Sequence, residues 1–167
     1  PEADRCIILI QGDKDHRNSQ QVRALDLARD FVERGFSVLL FDFRARGESG
    51  GSRSTAGDRE QWDVFGAIDY VTSRGIPLER IGLLGFSLGA GVAILVASQE
   101  PRLAAVVSDS GFLDNRVDPN HLYIGPIGLP WWFATFVVLA GRVFFRSDFA
   151  NVRPVEVVEQ VSQPIFF

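Results

Sequence analysis

An apolar fraction of 46%, with 11% aromatic residues, gives this chain of 167 residues enough side-chain surface for one packed domain and argues against disorder. The net charge of −4 comes from interspersed charges without a lysine or arginine block, which argues against a nucleic-acid surface. The single cysteine, Cys6, excludes an internal disulfide and a cysteine metal cluster, and it favours a reducing compartment such as the cytoplasm.

The first half of the chain alternates buried strands with amphipathic helices. The apolar run 6–10 predicts a strand buried on both faces, and residues 36–43 predict a second. Between them we expect a helix that has Ser19 as its N-cap and ends at Gly35. Its predicted buried stripe consists of Val22, Leu25, Ala28 and Val32.

The same alternation continues in the second half. A helix is expected over 58–74, and strands over 81–85 and 103–107 flank a third helix over 88–98. A fifth strand begins at Pro164. The predicted buried face of the second helix consists of Trp62, Phe65, Ile68 and Val71. Strands separated by helices of this length form right-handed crossovers, so we predict an α/β fold with a mostly parallel sheet and helices on both faces.

Ser87 lies at the centre of Gly85-Phe86-Ser87-Leu88-Gly89, between a predicted strand and a predicted helix. A bare G-x-S-x-G motif is weak evidence, but this strand–turn–helix context is the one that a serine nucleophile needs. The amide of Leu88 lies at the helix N-terminus, where free N–H groups and the helix dipole favour negative charge, so it is a candidate oxyanion donor. The alternative is a tight turn whose glycines and serine serve packing alone.

Several segments together resemble the α/β-hydrolase family, and within it the small serine esterases and acyl-peptidase-like hydrolases. Besides the Ser87 turn, residues 41–49 resemble the D-x-R-G-x-G-x-S loop after the family's fourth strand. Residues 107–110 resemble the segment after its sixth strand, and 152–154 with 163–167 resemble the approach to its seventh. The resemblance implies a serine hydrolase that cleaves an ester, thioester or amide of a small molecule and uses no cofactor.

The resemblance also implies a second oxyanion donor, the main-chain amide of Asp13. Gln11 stands where the family has histidine, so the hydrogen bonding of this loop must differ. The family's acid and histidine follow its seventh and eighth strands, positions outside these 167 residues. We therefore expect an internal piece of a longer protein, inactive by itself. Asp109 is a candidate acid, because some members place it after the equivalent strand, or else a carboxylate that binds loop amides.

Other side chains offer alternatives for these roles. His16 lies close to the Asp13 loop and His121 lies at the start of an apolar segment, and either is a less favoured candidate for the general base. Asp42 and Arg44 are expected to hold their loop by hydrogen bonds. No segment has the ligand spacing of a metal site or the glycine pattern of a phosphate loop, so neither metal nor cofactor is predicted.

Residues 113–153 interrupt the alternation and are expected to form a cap on a core of residues 1–112, with 154–167 returning to that core. Residues 122–141 carry no charge, but glycine and proline break their first half, so a transmembrane helix is not expected. Three roles stay open: a cap that binds an apolar acyl group, contact of residues 122–146 with a membrane surface, and burial in the core. The competing function is a non-catalytic binding scaffold on the same fold.

Overall fold

One sheet of five parallel strands organises the protein, in the order β2-β1-β3-β4-β5. The computed structural model describes residues 4–13, 23–112, 114–115, 133–144 and 146–167. The strands are β1 (Cys6–Ile10), β2 (Ser37–Leu40), β3 (Ile81–Phe86), β4 (Ala105–Asp109) and β5 (Ile165–Phe166). The helices are α1 (Ala24–Glu33), α2 (Glu60–Ser73), α3 (Leu88–Gln99), α4 (Ala134–Phe144) and α5 (Pro154–Val157), with 3-10 turns at Leu78–Arg80, Phe149–Asn151 and Val158–Gln160.

Helices cover both faces of this sheet. Successive side chains of a strand point to opposite faces. On β1, Ile8 and Ile10 pack into the core that α2 and α3 share, whereas Leu9 packs with Ala28 of α1 on the other face. The predicted α/β fold, with a parallel sheet and helices on both faces, is confirmed.

Helix α3 lies in the centre of the fold. Every residue from Leu88 to Ala97 is buried, and the helix packs against β3, β4, α2 and α5. A helix that is apolar on all sides belongs in a protein interior. The residue that precedes it, Ser87, is therefore held by a helix with little freedom to move.

The predicted buried faces of α1 and α2 are partly wrong. Leu25 and Val32 of α1 are 53% and 58% exposed, and Trp62 of α2 is 65% exposed. The side of α1 that packs on the sheet carries Ala24, Leu27, Ala28 and Phe31. The buried residues on the apolar side of α2 are Val64, Ala67, Ile68 and Val71. Both helices carry apolar residues on two neighbouring stripes, and helical periodicity alone does not decide which stripe faces the sheet.

Two strand boundaries also differ from the prediction. Strand β4 covers 105–109 rather than 103–107, and β2 ends at Leu40 rather than at residue 43. Leu103 and Phe43 are nevertheless buried. Apolar side chains extend the core beyond the hydrogen-bonded ladder, and an apolar run alone does not separate the two. The predicted N-cap Ser19 lies outside the described residues.

Helix α4 belongs to the segment that we expect to be a cap. Its side chains Phe136, Leu139, Val143 and Phe144 are exposed, which contradicts core burial for this part of the segment. The cap and the contact with a membrane surface stay predictions, and the tryptophans at 131 and 132 lie outside the described residues. Across the described ranges, helices are too short or too polar to cross a bilayer.

Candidate active site

Ser87 connects β3 to α3 with a strained backbone. Its φ and ψ are 51° and −113°, and its side chain is exposed. A residue with a side chain at such a positive φ costs about 1–3 kcal/mol and persists only where the surrounding structure holds it. Here the Ser87 N–H donates to the Asp109 carbonyl at 2.9 Å, and the Ser87 carbonyl accepts from Ala90 N–H at 3.1 Å. The turn is thus tied to the neighbouring strand and to its own helix.

The two glycines of the motif permit backbone contacts that a side chain would block. A Cβ on Gly85 would lie 2.3 Å from the Gly89 carbonyl oxygen, and a Cβ on Gly89 would lie 2.3 Å from that of Ile10. The end of β1, the end of β3 and the first turn of α3 therefore meet backbone to backbone. This close approach explains the G-x-S-x-G spacing.

Leu88 is the first residue of α3 and is buried. The first N–H groups of a helix have no partner within the helix, and they carry the positive end of its dipole. The Leu88 amide therefore lies beside an exposed serine, at a helix end that favours a developing negative charge.

Asp13 follows β1 at the same edge of the sheet as Ser87, because β1 pairs with β3 through Ile10 and Gly85. Its carboxylate accepts from Arg46 Nη2 at 2.7 Å and lies 2.9 Å from the Ser54 hydroxyl. Arg46 Nε also donates to the Asp13 carbonyl oxygen. The carboxylate is thus paired with a cation, which offsets its charge near the proposed oxyanion.

Gln11, which replaces the family's histidine, is 2% exposed. Neither its side-chain nitrogen nor its side-chain oxygen has a hydrogen-bond partner among the described residues. A buried amide without partners is costly, so this position differs physically from a hydrogen-bonded histidine.

Asp42 and Arg44 hold the loop that follows β2. The Asp42 carboxylate accepts from the Glu48 amide at 3.1 Å. The Arg44 guanidinium binds both carboxylate oxygens of Asp63 on α2, at distances from 2.7 Å. This hydrogen bonding raises the pKa of Arg44, against the opposing effect of burial. Both residues fasten the loop, as the sequence suggested.

Asp109 ends β4 and is exposed. Its carboxylate accepts from the Ser110 hydroxyl at 2.8 Å, a neighbouring side chain rather than a loop amide. Its carbonyl holds the Ser87 amide. The two candidate bases, His16 and His121, lie outside the described residues. The described sheet edge therefore brings together Ser87, Asp13 and Asp109.

Comparison with known proteins identifies the family. The model of the X-Pro dipeptidyl-peptidase family (S15 family) matches residues 9–147, which include the Ser87 turn and the Asp13 loop. The chain belongs to the S15 family.

Solved structures and curated relatives that are similar to this S15-family chain include an esterase and a hydrolase. An esterase of Pyrococcus furiosus superposes with a TM-score of 0.71 at 27% identity, covering 98% of this chain and 59% of that one. The 2,6-dihydropseudooxynicotine hydrolase of Paenarthrobacter nicotinovorans is 38% identical over 84 residues, 50% of this chain and 23% of the relative. An uncharacterized 31.7 kDa Escherichia coli protein is 37% identical over 54% of this chain and 32% of its own length. The matches thus span about a third or less of these curated relatives.

Sequence reasoning missed Glu60, the first residue of α2, which is completely buried. Its carboxylate accepts from the Thr55 amide at 2.7 Å, the Thr55 hydroxyl at 2.7 Å and the Gly57 amide at 2.9 Å. The Ser54 hydroxyl lies 3.1 Å from the same carboxylate. No local pattern marked it, because Glu60 directly follows the N-cap Arg59, at a helix start where acidic side chains are common and ordinarily solvated.

A cavity of about 610 Å³ adjoins this part of the S15-family chain. Its wall includes residues 51–56 together with Arg44, Arg59, Ser147 and Phe149. Ser54 belongs to this wall and also contacts Asp13, so the cavity lies beside the Asp13 loop. Within the described residues, His, Cys, Asp and Glu form no group of three or more that would hold a metal ion. The cavity has the size of a small-molecule site.

Proposed function

We propose that this protein is a serine hydrolase that cleaves a carboxylic ester, thioester or amide through an acyl-enzyme on Ser87. One observation carries the proposal: an exposed serine is held at a φ of 51° between a central parallel strand and a buried helix N-terminus. Such a turn lifts a hydroxyl above the sheet edge and places it beside helix amides. A serine chosen for packing alone has no need of that exposure or of that strain.

The proposed reaction has two steps. The Ser87 oxygen attacks the substrate carbonyl carbon while a general base takes the hydroxyl proton, and the main-chain amides of Leu88 and Asp13 donate hydrogen bonds to the tetrahedral oxyanion. Collapse of this intermediate breaks the bond to the alcohol, thiol or amine, which leaves with that proton. Water then attacks the acyl-enzyme in the same way, releases the acid and returns the proton to Ser87. The two candidates for this base, His16 and His121, lie outside the described residues. Asp109 remains the candidate acid at this sheet edge.

We propose a small acyl compound as the substrate, with an apolar acyl group bound under the cap. The esterase of Pyrococcus furiosus supports ester cleavage, since it matches 98% of this chain. The choice between ester, thioester and amide depends on side chains around the carbonyl rather than on the Ser87 turn.

A fluorophosphonate probe tests the proposal, because it forms a covalent bond only with an activated serine. We expect the protein in its full natural length to label, and a Ser87→Ala variant not to label. Ser73→Ala is the matched control, because Ser73 is also exposed but lies at the end of α2, where its hydroxyl donates to the Tyr70 carbonyl.

Labelling of Ser87→Ala at the rate of the parent protein contradicts the nucleophile role. Failure of the folded, full-length protein to label, together with failure to hydrolyse a series of 4-nitrophenyl esters, favours the competing function, a non-catalytic scaffold. Thermal unfolding of each variant confirms that the comparison is made on folded protein.

A further inference from the structure

Two side chains, Arg46 and Ser54, hold Asp13 in place, and the role inferred for them rests on the proposed function. Arg46 binds Asp13 at two points, the carbonyl oxygen and carboxylate Oδ1. The bond to the carbonyl oxygen orients the peptide that follows Asp13, and the bond to the carboxylate orients the Asp13 side chain. The N–H of Asp13 belongs to the preceding peptide, Gly12–Asp13, which these two bonds do not involve.

A second anchor reaches Asp13 from the loop before α2. The Ser54 hydroxyl lies between two carboxylates, 2.9 Å from Asp13 Oδ1 and 3.1 Å from Glu60 Oε1. A hydroxyl has one proton, which it donates to one of these oxygens at a time. Ser54 therefore contacts the Asp13 loop on one side and the interior of the protein on the other.

Glu60 makes this anchor rigid. Its side chain is fully buried. Its carboxylate accepts hydrogen bonds from the main-chain amides of Thr55 and Gly57, in the segment that follows Ser54. Charged acceptors form the stronger hydrogen bonds of proteins, and a buried carboxylate with this many donors has little freedom to turn. The segment 54–57 is thus fixed to the start of α2.

We propose that Ser54, held by Glu60, is a positioning residue that sets the Asp13 amide as the second oxyanion donor. Neither Ser54 nor Glu60 touches the reacting atoms. Both act through the Asp13 loop. The same Ser54 lines the adjacent cavity, so the wall of the cavity and the oxyanion donor share one support.

The geometry of an oxyanion donor strongly affects rate but hardly affects substrate binding. A displacement of about 1 Å lowers the rate about a hundredfold, and loss of one donor lowers it about a hundredfold to a thousandfold. The donor forms a weaker hydrogen bond to the bound substrate than to the oxyanion of the transition state, so its displacement changes KM little. Because Arg46 still binds Asp13 when the Ser54 hydroxyl is removed, we expect the Asp13 amide to be displaced rather than lost, which has the smaller effect on the rate.

The test compares Ser54→Ala with Ser54→Thr, which keeps the hydroxyl, in the full-length protein. For 4-nitrophenyl butyrate, Ser54→Ala should lower kcat about tenfold to a hundredfold with KM within about twofold, and Ser54→Thr should restore most of the rate. The inhibition constant of an alkyl trifluoromethyl ketone, which forms a tetrahedral adduct, should rise in parallel with the loss of kcat/KM. The rate of fluorophosphonate labelling should fall by a similar factor.

Ser49→Ala is the matched control, because its hydroxyl donates to the Asp42 carbonyl at 2.6 Å in a neighbouring loop and reaches neither Asp13 nor Glu60. If Ser54→Ala keeps the kcat and the ketone affinity of Ser49→Ala, the positioning role is wrong, whereas the proposed function stands as long as Ser87→Ala is inactive. If Ser87→Ala is active, the proposed function itself fails. An equal loss in Ser54→Ala and Ser54→Thr also contradicts the role of the hydroxyl.

Discussion

At the scale of single residues, the backbone of Ser87 is the feature that connects structure to chemistry. A φ of 51° with a ψ of −113° is far from the regions that a serine prefers, and the hydrogen bonds of Ser87 to Asp109 and to α3 help to maintain it. Strain of this kind is common at functional sites, where the surrounding structure supports it. It is an independent physical reason, beyond the motif, to assign a function to this serine.

Cys6 offers a residue-scale prediction about pH. Burial raises the pKa of its thiol from 9.0 to about 11, against a smaller lowering by the Leu39 backbone hydrogen bond. The unfolded thiol therefore loses its proton at lower pH than the folded one, so stability falls as pH rises from about 9 to about 11. We expect a loss of at most about 3 kcal/mol from this group, measured by urea unfolding across that range.

Cys6→Ala supplies the control, since other groups also titrate above pH 9. The pH dependence of the parent protein minus that of Cys6→Ala should contain the contribution of the thiol. Identical slopes for the two proteins would show that burial does not hold the thiol proton. Iodoacetamide at pH 8 should likewise leave native Cys6 unmodified and should modify it after unfolding.

The sequence predicted a role for Ser87, which stays a prediction, but it did not predict the contacts around the Asp13 loop. Ser87 could be singled out from the sequence because its motif lies between a predicted strand and a predicted helix. The motif, the strand and the helix are all recognised from residues close together in the sequence. Ser54 and Asp13 are 41 residues apart in sequence, and nothing local marks their contact. Glu60 resembles any solvated glutamate at a helix start, and only the path of the loop over it makes it buried.

At the scale of secondary-structure elements, the contact of α3 with the ends of β1 and β3 determines the shape of the turn. Gly89→Ala would place a methyl group 2.3 Å from the Ile10 carbonyl oxygen, so one of the two backbones must move. We expect a loss of about 2–3 kcal/mol in the free energy of unfolding and slower fluorophosphonate labelling. Denaturant unfolding and labelling rates measure the two effects.

Gly66→Ala is the control for this substitution. Gly66 lies within α2, where an added Cβ meets no atom within 4 Å. Alanine is the better helix former by about 1 kcal/mol, so this variant should be more stable than the parent. A Gly89→Ala variant that gains stability as Gly66→Ala does would show that the backbones are not in close contact.

The positions of the helices and strands could be predicted from the sequence, whereas the side of each helix that packs on the sheet was harder to predict. All five strands and the three helices of the first hundred residues were expected, because buried apolar runs and helical periodicity are local properties. The orientation of α1 was not, since Leu25 and Leu27 are equally apolar and only the fit to the sheet selects Leu27. The exposure of Trp62 has the same origin.

At the scale of the whole molecule, stability should decrease from the centre of the sheet outward. Strands β1 and β3 have hydrogen-bonded neighbours on both sides, and α3 is buried along its length. Helix α4 exposes several large apolar side chains. We expect backbone amides of β1, β3 and α3 to exchange with deuterium slowest, and those of α4 to exchange much faster.

Hydrogen exchange followed by mass spectrometry checks this order on the folded protein. Peptides from α1, which packs on one face of the sheet, should show intermediate protection and serve as the internal reference. Protection of α4 equal to that of β3 would mean that its apolar face is covered in solution.

The strand order has a consequence of its own. From β1 the chain passes through α1 to β2 on one side, whereas β3 continues through α3 to β4 on the other. Where connections diverge in this way, a crevice opens at the carboxyl ends of the two strands, whatever side chains occupy it. In the proposed function, the topology therefore supplies the place where substrate binds, and Ser87 supplies the reactive hydroxyl. An inactive Ser87→Ala protein should keep the crevice intact, which makes it the form in which an uncleaved substrate is best captured.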